Sequence, residues 1–354
     1  LVKHEVQKQD FTLDEVQDKA VYFSGGIEAL ARMNLWSRFG NILYYIVAEQ
    51  KNVTDFDTLF NIISKQDWHT YIPKDYEILV QATSIKSELG SVSSLQGIAK
   101  KAIVKKLAGE KILTENANLW SIEIRILLEN NTLRILLNTS GNGLHKRGYR
   151  EMTGDAPLKE NVAAALVILS NWKFKEPLYD IFCGSGTIGI EAAMIARNIA
   201  PGLKRHFACE TWSWLPKGLF DSEKQRAIWK QFTWEYKIYC TDIRKDIIEL
   251  AKRNAAFAGV GDDISFGTQD YTTYMRRELT GTLVSNPPYG LRLENADVPK
   301  IHQDIAELFL KNKNLGWGII TAHSEFEHYS KTKYKRRKLY NGGEQVYFYK
   351  KEQN

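Results

Sequence analysis

A buried strand that breaks at once into a glycine turn is the most constraining stretch of this chain. Leu178-Tyr179-Asp180-Ile181-Phe182 reads as the strand. Cys183-Gly184-Ser185-Gly186-Thr187-Ile188-Gly189 follows directly, ahead of a helix over Ile190 to Arg197. Strand, glycine turn and helix in that order raise a G-x-G-x-x-G match above chance. Gly184 and Gly186 let the backbone turn tightly and let a ligand approach it beside the first amides of a helix. The turn alone fits a dinucleotide, but two features weigh against one. Asp180 sits inside the strand, where a carboxylate repels a pyrophosphate and suits a cationic ligand. The next strand, Lys237 to Asp242, ends in its acidic residue well beyond the usual spacing of about 20 positions. A carboxylate at a strand end can accept both hydroxyls of a ribose.

The alternation continues. A helix is expected from Arg244 to Ala258, and a strand over Ile264 to Phe266 that ends near Gln269-Asp270-Tyr271. Thr282 to Val284 is another strand, Asp304 to Leu310 a helix, and Trp317 to Thr321 and Gln345 to Tyr349 the last strands. This order implies an α/β doubly wound sheet, which binds ligands at the carboxyl ends of its strands. Four successive ends, at Asp180/Gly184, Asp242, Asp270 and Asn286, would then face one crevice. The fourth runs into Asn286-Pro287-Pro288-Tyr289-Gly290. Two prolines forbid further strand or helix, leaving a rigid loop with an amide, open carbonyls and a ring. Such oxygens can accept from an amino group while the ring stacks on a planar base. Alone, the loop reads equally well as a simple chain reversal; the convergence of strand ends favours chemistry. Residues 201–236 read as an insertion whose Trp212, Trp214, Trp229 and Trp234 form its core.

The first half has a different character. With 354 residues, two or three domains are expected. Short strands and helices alternate over 1–50 and again over 51–138. Asp55 is a plausible cap for a helix near 53–64, and a hairpin over Trp120 to Asn138 turns at Asn130-Asn131. Three glycines between 139 and 150 mark a linker over 139–156, and 157–354 form the second half. Lys100, Lys101, Lys105 and Lys106 cluster on a helix ending at Leu107, preceded by Lys86. Lys146, Arg147 and Arg150 lie in the linker. These cations fit phosphate contacts, but a solvated helix face and interdomain ion pairs would look the same. The Lys331 to Lys338 run reads evenly as a solvated loop or as a further basic contact. Net charge of +6 is only weak evidence for a polyanionic partner. Three cysteines without metal-type spacing point to a reducing cytoplasm and no metal. No apolar run approaches membrane-spanning length. The chain opens at Leu1 without Met, so the numbering is expected to begin inside a longer protein.

Asp180 to Gly186, Asp242, Asp270 and Asn286-Pro287-Pro288-Tyr289 together resemble the motifs of class I S-adenosylmethionine methyltransferases that act on amino groups. The first half, with Ser84-Ile85-Lys86-Ser87, the lysine-rich helix and the Thr139 to Arg150 junction, resembles THUMP-containing RNA methyltransferases. The whole is similar to bacterial proteins that methylate N2 of guanine in large-subunit ribosomal RNA, whose relatives are often labelled N6-adenine-specific DNA methylases. The resemblance implies a Rossmann-like seven-stranded methyltransferase domain behind an α+β ferredoxin-like and THUMP region. It implies S-adenosylmethionine as cofactor, contacted by Asp180, Phe182, Cys183, Gly184, Ser185, Gly186, Thr187, Asp242, Ile243, Asp270, Tyr271 and Asn286. It implies a catalytic loop of Asn286, Pro287, Pro288 and Tyr289, and an RNA partner, expected to be rRNA. DNA adenine, tRNA guanine, an NAD-dependent oxidoreductase and a non-catalytic RNA-binding protein are the alternatives. Oligomeric state is not readable from the sequence.

Overall fold

The computed structural model describes residues 1–72, 76–107, 120–150, 158–288, 297–324, 326–331 and 333–352. It opens with helix α1 (Val2–Lys8), an antiparallel ribbon of β1 (Thr12–Val16) and β2 (Val21–Ser24), and helix α2 (Glu28–Trp36). A four-stranded sheet follows, built from β3 (Tyr44–Gln50), β4 (Tyr76–Ile85), β5 (Trp120–Glu129) and β6 (Thr132–Asn138) in the order β3-β6-β5-β4. Asn130 and Asn131 make the β5–β6 turn with φ of 48° and 57°, the left-handed pair a tight two-residue hairpin needs. Strand β3 pairs with β6 along its length. Residues 44–50, expected in the first subdomain, therefore belong with the second sheet, because a strand follows its hydrogen-bonding partner.

Helices α3 (Phe56–Ser64), α4 (Trp68–Tyr71) and α5 (Val92–Leu107) cover one face of that sheet. Asp55 caps α3 by accepting from Thr58 N at 2.7 Å. In α5, Leu95, Ala99, Ala102, Ile103 and Leu107 are buried at helical spacing. That periodicity leaves Lys100, Lys101, Lys105 and Lys106 on the exposed side.

The second half comprises α6 (Glu160–Leu169), β7 (Leu178–Asp180), α7 (Thr187–Ala196), α8 (Leu219–Trp229), β8 (Ile238–Asp242), α9 (Lys245–Ala258) and β9 (Ile264–Thr268). It continues with β10 (Thr282–Ser285), α10 (Asp297–Lys311), β11 (Gly316–Thr321), α11 (Phe326–Tyr329), β12 (Tyr334–Asn341) and β13 (Glu344–Lys351). Its seven strands lie in the order β12-β13-β11-β10-β7-β8-β9, parallel except for β13. Helices on both faces bury the central strands, which explains their unbroken apolar runs. Gly189 matters here: a Cβ on it would lie 2.3 Å from Cys240 Sγ, so only glycine lets α7 press onto β8.

Two expectations change. Residues 201–236 do not form a cap with its own core: Phe207, Cys209, Trp212, Leu215 and Phe220 complete the core of the four-stranded sheet. Trp229 and Trp234 are 82% and 65% exposed. Helix α8 buries Phe220, Glu223 and Ala227 against α2, and Trp229, two residues beyond Ala227, falls on the opposite side. The Lys331 to Lys338 run is mostly strand β12, at the sheet edge, where exposed cations suit an unpaired backbone. Among the described residues no helix is long and apolar enough to cross a membrane.

Candidate active site

The sheet order reverses between β7 and β10, and crevices form at such points. The carboxyl ends of β10, β7, β8 and β9 are neighbours along one edge, so the four strand ends marked in the sequence do converge.

The glycine turn is pinned from below. Asp242 Oδ2 accepts from Gly184 N and its Oδ1 from Arg244 N, each at 3.0 Å. Cys183 N donates to Thr241 O at 2.9 Å. Gly184 and Gly186 have φ of 50° and 84°, which only glycine adopts cheaply. A Cβ on Gly184 would meet nothing within 4 Å, so open space lies over that backbone. The side chains of Cys183 and Thr187 point elsewhere. The Cys183 thiol faces Cys240, and Thr187 Oγ1 accepts from Arg150 Nη2 at 2.5 Å. Both residues are buried.

Asp180 is 1% exposed. Its Oδ1 accepts from Ser285 Oγ at 2.5 Å and from Phe182 N at 3.4 Å, while Oδ2 is buried with no partner among the described residues. Burial drives its pKa up from 3.8 to about 7, against the lowering by the Ser285 and Phe182 hydrogen bonds and with help from the charge of Asp242. Asn286 Oδ1 is likewise buried without a partner among the described residues. A buried acceptor left unmatched is costly, and a donor on a ligand would relieve that cost. An ammonium at Asp180 and an amine at Asn286 would satisfy both.

An apolar margin completes the crevice. The rings of Phe182 and Tyr271 lie 5.0 Å apart, and Tyr271 Oη donates to Asp304 Oδ2 at 2.8 Å. Ile243 is 66% exposed beside Asp242. Asp270 caps a 3-10 turn over Tyr271–Arg276 by accepting from Thr272 N at 2.8 Å. Pro287 and Pro288 are described, while Tyr289 lies outside the described residues. The carboxylates, glycine backbone and apolar margin fit S-adenosylmethionine, which carries an ammonium, a ribose and an adenine. Among the described residues no group of His, Cys, Asp and Glu is arranged to hold a metal ion.

The basic residues divide. Lys86, Lys100, Lys101, Lys105, Lys106 and Lys146 are exposed. Arg147 is not available for RNA: it is 2% exposed, donating to the carbonyls of Leu144 at 2.7 Å and Arg38 at 2.6 Å and pairing with Glu191. Arg150 pairs with Glu160 at 3.3 Å and donates to Leu158 O. Both follow the rule that buried cations need partners. Arg205, unmarked in the sequence, ties the junction by donating to the carbonyls of Ser140, Asn142, Gly143 and Lys146. Ser285, hydrogen-bonded to Asp180, is likewise unmarked in the sequence. Its one signal is a polar side chain closing an otherwise apolar run.

Comparison with known proteins agrees with this geometry. A family model described as RMKL-like, methyltransferase domain, matches residues 147–346, and one described as RlmL ferredoxin-like domain matches 1–41. A Bacillus subtilis protein named "Putative RNA methyltransferase YpsC" is 39% identical over 93% of this chain and 86% of its own length. Ribosomal RNA large subunit methyltransferase K/L of Shewanella frigidimarina is 33% identical over 94% of this chain. This chain spans only about half of that protein (49%). The crystal structure of a predicted N6-adenine-specific DNA methylase from Listeria monocytogenes superposes with a TM-score of 0.87 at 37% identity, covering 98% of this chain and 91% of that one. SMU.472, described as a methyltransferase and solved with SAH, superposes at 0.86 with 35% identity, covering 99% and 94%. The fold is therefore that of the class I methyltransferases, preceded by an α+β region.

Proposed function

The chain belongs to the RMKL-like methyltransferase family, and from that premise we propose that it methylates an exocyclic amine of a base in RNA, specifically N2 of guanine in large-subunit ribosomal RNA. The observation that carries the proposal is the pair of buried acceptors, Asp180 Oδ2 and Asn286 Oδ1, on adjacent strand ends, neither with a partner among the described residues. One suits the cofactor's ammonium and the other a base amine.

S-adenosylmethionine, when bound, supplies an electrophilic methyl group on a cationic sulfur. Amides of the Gly184 to Thr187 turn would meet its carboxylate, Asp242 its ribose, and Asp270 with the neighbouring Phe182, Ile243 and Tyr271 its adenine. Asn286 Oδ1 and the Pro287 carbonyl would accept the two amine hydrogens, which aims the nitrogen lone pair at the methyl. The prolines keep both oxygens in place, so most of the rate comes from positioning. Tyr289 would stack on the flipped-out base. No strong protein base is needed, because the nitrogen's proton becomes acidic once the new bond has formed.

RNA as substrate is supported by the names of YpsC and the K/L proteins and by the exposed lysine face of α5. We read residues 44–138 as a THUMP-type module that presents Lys86, Lys100, Lys101, Lys105 and Lys106 to phosphates, with Lys146 beside the junction. The second reading, N6 of adenine in DNA, is favoured by the name of the Listeria relative and by a loop that suits either amine. Nucleoside mass spectrometry of rRNA and DNA from wild-type and deletion cells separates them. Loss of N2-methylguanosine from large-subunit rRNA supports the proposal, and loss of N6-methyladenine from DNA overturns it.

A further inference from the structure

Ser285 is fully buried at the last position of β10. Its hydroxyl donates to Asp180 Oδ1 at 2.5 Å and accepts from the Phe182 amide at 3.1 Å. That amide also reaches Asp180 Oδ1 at 3.4 Å. These three groups close a small hydrogen-bonded ring on one side of the carboxylate, leaving Oδ2 buried with no partner among the described residues. Among the described residues no other side chain donates to Asp180. A carboxylate in this setting is costly to ionise, and a donating hydroxyl offsets part of that cost. It also fixes where the free oxygen points.

Resting on the methyltransferase reading of the site, we infer that Ser285 is a positioning residue for the cofactor. Its hydroxyl holds Asp180 as the anion that captures the cofactor's ammonium group, one residue before the loop that receives the base amine. Asn286 follows Ser285 directly, so a single serine braces both the cofactor anchor and the start of that loop.

The inference predicts a specific pH dependence. Ligand-free Asp180 titrates near 7, so below that pH a cationic ligand must displace a proton. Four other groups face it. Asp242, at the end of β8, opposes ionisation through its charge. Cys183 in the glycine turn is raised by its hydrogen bond with Cys240 and by burial. The hydrogen bond with Cys183 pulls Cys240 on β8 down, but burial and the charge of Asp180 together leave it raised. Tyr274 in the 3-10 turn is raised by burial. The thiols and the phenol therefore stay neutral between pH 6 and 8.5, and Asp180 is the group that titrates there.

The test is calorimetric affinity for S-adenosylhomocysteine from pH 6 to 8.5, on the intact chain, for wild type, S285A, S285T and D180N. Ratios of dissociation constants remove the ligand's own titration, and a melting curve checks that each variant folds. Losing the hydroxyl should move the acid limb up by about one unit. S285A should then bind about tenfold more weakly than wild type at pH 6 and within about twofold at pH 8.5. S285T should restore the wild-type ratio, and D180N should show no acid limb. An S285A deficit of the same factor at every pH, or no deficit, overturns the inference, as does an acid limb that survives in D180N. If wild type fails to bind S-adenosylhomocysteine at any pH, the methyltransferase reading itself falls.

Discussion

Arg147 and Glu191 form a buried ion pair between the junction and α7, Nε to Oε1 3.3 Å, with side chains 1% and 0% exposed. Arg38 from the first half adds a second, looser cation 3.8 Å from Oε2. Breaking a buried pair from one side leaves an uncompensated charge, which usually costs more than replacing both partners. R147L should destabilise the protein by about 3 kcal/mol, read as a lower urea midpoint, and R147L/E191L should not recover it, because Arg38 then loses its carboxylate. An unchanged midpoint in R147L would remove the anchor assigned to this pair.

The contrast between Arg147 and the α5 lysines shows which parts of the molecule were legible in the sequence. The strand–turn–helix at 178–197 and the alternating strands were readable because their signals are local: apolar period, glycine and proline. So was the burial pattern of α5. Arg147 was legible only as one of two readings, phosphate contact or interdomain ion pair, since its partner lies 44 residues away. Strand β12 carries basic residues without apolar alternation and is a strand because β13 pairs with it. The tryptophans of 201–236 divide between a core supplied by the first half and solvent, which no count of rings in that segment reveals.

Asp180 makes the ligand-free protein pH-sensitive in the direction opposite to an ordinary paired carboxylate. Its folded pKa of about 7 lies above the ordinary 3.8, so its contribution is fully present below about pH 4 and is lost as pH rises through 7. D180N should remove that slope. At pH 8 it should be more stable than wild type by about 1–3 kcal/mol, with the gain gone by pH 4. Thermal denaturation across this range checks it, and a D180N protein with the wild-type slope would contradict the assignment.

The lysine face of α5 should act through phosphate charge alone. Lys100, Lys101, Lys105 and Lys106 changed to Gln should weaken RNA binding and flatten its dependence on log salt by about 0.7–0.9 per lost contact. Affinity for S-adenosylhomocysteine should not move. Filter binding at several salt concentrations provides the measurement, and an unchanged salt slope would place the RNA elsewhere.

Gly189 tests the packing of α7 on the sheet. Alanine gains about 1 kcal/mol of helix propensity over glycine, but overpacking a core typically costs about 1–3 kcal/mol. A Cβ facing Cys240 Sγ at 2.3 Å makes overpacking the larger effect. G189A should therefore be destabilised, and G189A/C240A should recover most of the loss in denaturant titrations. Equal losses in both variants would mean that another contact excludes the side chain.

The central claim is that Asn286 receives the amine to be methylated. Its most direct test compares wild type and N286A for S-adenosylhomocysteine affinity and for single-turnover methyl transfer from labelled S-adenosylmethionine to rRNA. Loss of one positioned acceptor should cut the rate by about 10²–10³, with cofactor affinity within about threefold of wild type. Cofactor binding lost in N286A, or a transfer rate left intact, would contradict the role given to this residue.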